Sequence, residues 1–237
     1  MSPKRAIITQ SNYIPWKGYF DNINQVDVFV LYDDMQYTKR DWRNRNKIKT
    51  EHGLKWLSIP VEVKGKYHQK INETLVADPK WGEKHWNTIR QAYRDAPHFN
   101  ETRDYFEELF LNPKSNNLTY INQHFIERIN SFLGIEVELR RSEEFVLLEG
   151  KTERMAHICE QLNATDYYTG PAAKDYMEES CFTDRGINVH YFDYSGYPAY
   201  EQCHGDFEHG VTILDLFFHV GKKAPHYMKS FAAKQHE

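Results

Sequence analysis

The first thirty-four residues restrict the fold more than any other part of the chain. Ala6-Ile7-Ile8 is a short apolar run that reads as a buried strand, and it stops in the polar, turn-forming segment Gln10–Pro15. Lys17–Gln25 then places Phe20, Ile23 and Val26 at helical spacing. A second strand run, Val28-Phe29-Val30-Leu31-Tyr32, follows at once and ends in Asp33-Asp34. Strand, loop, helix and strand in so few residues make a β-α-β crossover, the unit of a parallel sheet. Open sheets of this kind bind ligands outside the carboxyl ends of their strands. The loop after the first strand therefore marks the first place to look for a site.

Further along, Leu54–Val63 reads as a strand edged at Pro60, and Ile71–Val76 as a short strand. Asp78-Pro79 caps a helix over Lys80–Asp95, whose Trp81, His85, Trp86, Ile89 and Tyr93 share one face. Helical patterns continue over Glu101–Leu111 and Leu118–Leu133, the latter closed by Gly134. Ile135–Arg140 is a strand, Thr152–Leu162 a helix capped by Thr152, and Asp166–Gly170 a strand running into a turn. Ala172–Glu179 reads as a short helix, Val189–Phe192 as the last strand, Gly210–Val220 as a helix, and Lys222–Glu237 as a weakly helical tail. The pattern predicts an α/β fold: an open, mostly parallel, Rossmann-like sheet with a helical insertion at about 79–133, in a single domain spanning 1–237.

No stretch approaches the roughly 20 apolar residues of a membrane span. The N-terminus runs straight into a strand, which leaves no room for a signal peptide. Cys159, Cys181 and Cys203 have no metal-type spacing and read as reduced thiols. These features predict a cytoplasmic protein without membrane insertion. His204, Asp206, Glu208 and His209 crowd one loop but lack a His-x-x-x-His helix or a thiolate pair, so no metal site is expected. Walker, Gly-x-Gly-x-x-Gly and Gly-x-Ser-x-Gly motifs are absent, which argues against hydride transfer and serine hydrolysis.

Four segments carry candidate chemistry. In Gln10–Tyr19, Gln10, Asn12 and Tyr13 suit hydrogen bonding to a nucleotide or sugar, Trp16 suits stacking, and Gly18 suits close approach of a ligand at a helix start. Trp16-x-Gly18-Tyr19 resembles in spacing the His-x-Gly-His element of nucleotidylyltransferases and pantothenate synthetase, although both histidines are missing. Asp33 lies at the end of the second strand, with Gln36 and Tyr37 just beyond it, and would orient or deprotonate an amine. The strip Lys39–Lys49 holds Arg43, Asn44, Arg45 and Lys49, whose guanidinium, amide and ammonium groups suit phosphates. Thr169, Gly170, Lys174 and Tyr176 form a second loop on the same sheet edge, with Lys174 as a transition-state cation.

Gln10–Phe20, Asp27–Tyr37, Arg43–Lys49, Tyr168–Tyr176 and Asp206–Asp215 together resemble the WbqC-like family over nearly the whole chain, with Ser11 standing where that pattern commonly has proline. The resemblance implies a part in bacterial O-antigen or other surface-polysaccharide biosynthesis. A sheet with two phosphate loops suits acyl activation followed by attack of an amine. The expected reaction is formation of an amide, acyl or aminoacyl, on the amino group of a nucleotide-linked amino sugar. The alternatives are nucleotidylyl transfer to a sugar phosphate and a non-catalytic sugar-nucleotide or glycan-binding module. ATP with Mg, an acyl-CoA or an aminoacyl-tRNA would each serve as donor, and the residues select none of them.

Overall fold

Strand β1 (Arg5–Thr9), helix α1 (Lys17–Ile23) and strand β2 (Val28–Leu31) form the crossover, with Ile7 opposite Phe29 and Ile8 opposite Val30 in parallel register. The computed structural model describes residues 3–233. After β2 the chain makes an antiparallel hairpin, β3 (Arg45–Thr50) and β4 (Gly53–Ser58), outside the main sheet. Helices α2 (Trp81–Tyr93), α3 (Phe99–Leu111) and α4 (Leu118–Leu133) follow. The alternation then resumes with β5 (Glu138–Arg141), α5 (Lys151–Gln161), β6 (Asp166–Thr169), α6 (Ser180–Thr183) and β7 (Asn188–Tyr191). Helices α7 (Ile213–Val220) and α8 (Lys229–Ala233) complete the described chain.

The main sheet is parallel throughout, in the order β5-β2-β1-β6-β7. Successive side chains of a strand face opposite ways, and both faces here are covered. Ile7, Phe29 and Leu31 join a core with residues of α1, α2, α3, α4 and α7. Ala6, Ile8, Val28, Val30 and Tyr167 join a second core with Ala156, Ile158, Cys159 and Phe182. This explains the unbroken apolar runs in β1 and β2, which serve two cores at once. From β1 the chain proceeds to β2 on one side and, later, to β6 on the other. The crevice between the carboxyl ends of β1 and β6 is thus the switch point of the sheet.

Several expectations change. Neither Asp78 nor Thr152 is the cap residue of its helix: α2 follows Lys80 and α5 follows Gly150, with Thr152 inside α5, and β4 ends at Ser58, before Pro60. Ile71–Val76 is a 3-10 turn (Ile71–Glu73) followed by single bridges, because Asn72 and Ile71 donate to Asp33 O and Met35 O rather than to a neighbouring strand. Ala172–Glu179 is a 3-10 turn at Pro171–Asp175, followed by the short α6. Residues after Lys222 are packed: Ala224, Met228 and Ser230 are buried, and Ser230 N–H donates to Asp21 Oδ1 at 2.8 Å. The end of the expected tail, residues 234–237, lies outside the described residues. Helix α4 keeps its expected limits because Asn117 accepts from the N–H of Thr119 and Tyr120, and Gly134 closes it at φ 71°.

One core contact makes stability depend on pH. Tyr13 OH donates to His85 Nδ1 at 2.8 Å, and His85 Nε2 bonds Ser58 O at 3.2 Å, which satisfies the neutral imidazole on both sides. Burial lowers the pKa of His85 from 6.5 to about 4. The folded protein therefore resists a proton that the unfolded chain accepts, so stability falls as pH drops from 6.5 towards 4. The expected loss is about 3 kcal/mol. Urea unfolding at pH 7.5 and 4.5 should show a larger acid penalty for the wild type than for His85→Gln; equal penalties would contradict this assignment.

Candidate functional site

The loop between β1 and α1 is tied down from several elements. Ser11 N–H donates to Asp33 Oδ1 at 2.8 Å, and Thr119 OH donates to Asp33 Oδ2 at 2.7 Å. Asn122 Nδ2 reaches Ser11 Oγ and Arg43 O, both at 2.9 Å. Asn46 Nδ2 donates to Tyr13 O at 3.1 Å and Ile14 O at 2.9 Å. Between these anchors Ile14 is held at φ 35°, a costly backbone for a β-branched residue. Such a conformation persists only where the surroundings over-determine it, and that fixes where Asn12 and Trp16 stand.

At the switch point a cavity of about 220 Å³ opens. Thr9 and Asn12 line it from the β1 side, Thr169 and Gly170 from the β6 side, and Trp16, Tyr19, Asn22, Arg43 and Tyr194 close it round. Arg43 is its only cation among the described residues. The guanidinium donates through Nη1 to Ser11 O at 3.2 Å and to Asn12 Oδ1, while Nη2 lies 3.7 Å from the Asp41 carboxylate. Arg43 Nε is buried and has no hydrogen-bond partner. A buried unpaired donor on a guanidinium is costly unless a ligand supplies the acceptor. Opposite it, Asn22 Nδ2 donates to Tyr194 OH at 3.0 Å.

A second lobe of about 380 Å³ shares Asn12 and Trp16 with the first and is completed by Pro15, Trp42, Asn46, His209 and Gly210. Two indoles thus face a space suited to a sugar ring or another flat group. Burial, and after it the nearby Lys17 ammonium, lowers the pKa of His209 from 6.5, so the imidazole is neutral at pH 7 and free to accept a proton. Lys17 is itself buried, donates to Pro198 O at 2.7 Å, and has its pKa lowered by burial to about 8.

The structure gathers Asn12, Trp16, Arg43, Thr169 and Gly170 at this cleft and draws the remaining candidates elsewhere. Asp33 is 2% exposed and spends both oxygens on Ser11 and Thr119, so it holds the loop and does not face the cleft. Burial raises its carboxyl pKa above 3.8. Tyr13 is in the core against Trp81 and Phe125. Gly18 makes room for an indole: a Cβ there would stand 2.2 Å from Trp16 Cζ2, so the start of α1 is covered by Trp16 and not open to phosphate. Gln10 accepts Tyr19 OH on its carbonyl, Gln36 bonds Tyr67 O, and Tyr37 is buried. Asn44 donates to Ile59 O, and the Arg45 guanidinium stacks on Trp56. Lys49 is buried, with its ammonium on Gln202 Oε1, Gly205 O and Asp206 O. Lys174 is exposed beside the Tyr191 ring, and Tyr176 is 60% exposed.

No sequence pattern marks Thr9, Tyr19, Asn22, Tyr194, Trp42 and His209 as ligand contacts, yet all six line the cleft. Thr9 was within reach, since it ends β1 at the crevice, and Tyr19 and Asn22 lie three apart on one helix face. Tyr194 carries no local signal. Among the described residues no group of three or more His, Cys, Asp or Glu is placed to hold a metal ion, and no helix is long and apolar enough to cross a membrane.

A sequence model of the WbqC-like protein family matches residues 10–227, which takes in both loops at the switch point and the His209 segment. The chain is also 49% identical over 226 residues to the uncharacterized protein Rv1507c of Mycobacterium tuberculosis (strain ATCC 25618 / H37Rv), an alignment covering 95% of this chain and 98% of that one. No solved structure matches the chain.

Proposed function

The chain belongs to the WbqC-like protein family, and from that premise we propose that it forms an amide on the amino group of a nucleotide-linked amino sugar. Family membership suggests a role associated with polysaccharide biosynthesis. The observation that supports the reaction is the two-lobed cleft. Its polar lobe holds one nearly buried arginine with an unpaired Nε, and its second lobe is bounded by two indoles and a neutral histidine.

In this reading Arg43 binds the diphosphate, with Asn12 keeping the guanidinium in place. Thr9, Thr169 and Asn22 offer polar partners around it. The sugar lies between Trp16 and Trp42 and brings its amine to His209. The amine nitrogen attacks the carbonyl carbon of an activated acyl or aminoacyl group and forms the C–N bond. The bond to the leaving group breaks with its electron pair, and His209 takes the proton that the nitrogen sheds. Holding the two reactants together in the cleft supplies much of the rate. Asp33 and Lys174, first candidates for the base and the transition-state cation, have no part in this step.

The reaction is tested by incubating the protein with a nucleoside-diphosphate amino sugar and, in parallel, with glycine and ATP, an acyl-CoA, or an aminoacyl-tRNA. The expected product is the nucleotide sugar with one acyl or aminoacyl group added, seen by mass spectrometry. Release of pyrophosphate from a nucleoside triphosphate and a sugar phosphate, with a new nucleotide sugar formed, would replace this reading with nucleotidylyl transfer. Tight binding without turnover of any donor would replace it with a binding module.

A further inference from the structure

On the outer face of the hairpin, Arg45, Lys47 and Trp56 have no role in the reaction above. Trp42, just before β3, and Trp56, on β4, are each 40% exposed, and their ring centroids lie 5.3 Å apart at 44°. Lys47 pairs with Trp56 in the hairpin register, and strand alternation puts Arg45 on the same face. The Arg45 guanidinium lies 4.0 Å over the Trp56 ring. The Lys47 ammonium is 5.8 Å from Trp42 and 5.5 Å from Trp56; among the described residues it forms no ion pair within 4 Å, and both it and the Glu208 carboxylate border Gly210.

The hairpin does not need these indoles to hold its place. Its inner face already buries Asn46 and Ile48, and Ile48 is part of the core. Two large rings left half in water, with two cations across them, form a surface complementary to a flat group carrying negative charge. Trp42 also walls the second lobe of the cleft, so the surface runs into the site.

We propose that this platform binds the nucleotide part of the acyl donor. The base stacks over the Arg45–Trp56 pair, its phosphates meet Lys47, and the acyl end passes Trp42, which faces the sugar of the acceptor, to reach the amine beside His209. The proposal rests on the amide-forming reading, because it names where that reaction's second substrate lies. An adenylated acid, a nucleotide-bearing thioester and the 3′ end of an aminoacylated RNA share this chemistry of base and phosphate.

Calorimetric titration of the whole protein separates these sources and tests the site. The probes are ATP, coenzyme A and a short single-stranded oligoribonucleotide ending in adenosine, with a nucleoside-diphosphate amino sugar as the comparison. At least one of the three donor probes should bind the wild type, and the one that binds identifies the source. Its affinity should fall by about 5- to 150-fold in Trp56→Ala, should also fall in Lys47→Ala, which keeps both rings, and should change less than about twofold in Arg43→Ala. The amino sugar should show the reverse pattern. If none of the three binds, or if the one that binds is indifferent to Trp56→Ala and Lys47→Ala, the platform is not a donor site. Arg43-dependent binding of the amino sugar in that same experiment would leave the reaction standing without the platform. Conversely, Trp56-dependent donor binding with no binding of the amino sugar would uphold the platform and remove the proposed acceptor.

Discussion

Arg43→Ala is expected to weaken binding of a nucleoside-diphosphate amino sugar by about 10- to 150-fold, the effect of losing charge-assisted hydrogen bonds to phosphate. Arg43→Lys should recover only part of this, since an ammonium keeps the charge but not the forked geometry. The effect is expected to be large because Arg43 is the one cation lining the polar lobe among the described residues, and because its Nε has no protein acceptor. Arg43 also holds Ser11 O and Asn12 Oδ1, so the variant should melt somewhat earlier. Adding Arg43→Lys to the thermal-unfolding series separates that loss of loop support from loss of ligand contact. Calorimetry showing unchanged affinity in folded Arg43→Ala would take the phosphate site away from this cavity.

His209→Asn is expected to lower kcat by about 10²- to 10⁴-fold, the range for removal of a general base. The KM for the nucleotide sugar should change little, because the phosphates are held by Arg43 in the other lobe. Burial and the Lys17 ammonium place the pKa of His209 below 6.5. The wild-type rate should therefore rise with pH through a value below 6.5 and level off above it, as the imidazole loses its proton and becomes a base. His209→Asn should lose that acid limb while keeping its residual rate. A full rate in the variant, with the acid limb intact, would mean that another group takes the proton.

The parts of this protein legible in its sequence are those set by near neighbours. The crossover β1–α1–β2 could be read because apolar runs and helical spacing are local patterns, and the position of its loop at a sheet edge follows from them. The limits of α4 could be read because its caps, Asn117 and Gly134, act within a few residues. The site was legible as a place but not as a set of side chains. A carboxylate at a strand end looks the same whether it faces a ligand or, as Asp33 does, the N–H of Ser11 and the hydroxyl of Thr119, 86 residues further on. Lys49 reads as a phosphate ligand until the fold brings the Gln202–Asp206 segment, more than 150 residues away, over its ammonium. Arg45 was drawn to Trp56 by the register of the hairpin, and Tyr194 met Asn22 only because β7 ends beside α1. Each of these outcomes depends on which distant backbone arrives to satisfy a polar group, and a spacing rule carries no such information.

The central claim is that a nucleotide-linked amino sugar lies across the switch-point crevice, and a crystal structure of the protein with that ligand tests it most directly. The account predicts the diphosphate on the Arg43 guanidinium between the Thr9 and Gly170 edges, the sugar ring between Trp16 and Trp42, and the amine within hydrogen-bond reach of His209. Ligand density elsewhere on the protein, with Arg43 Nε still without an acceptor, would contradict it.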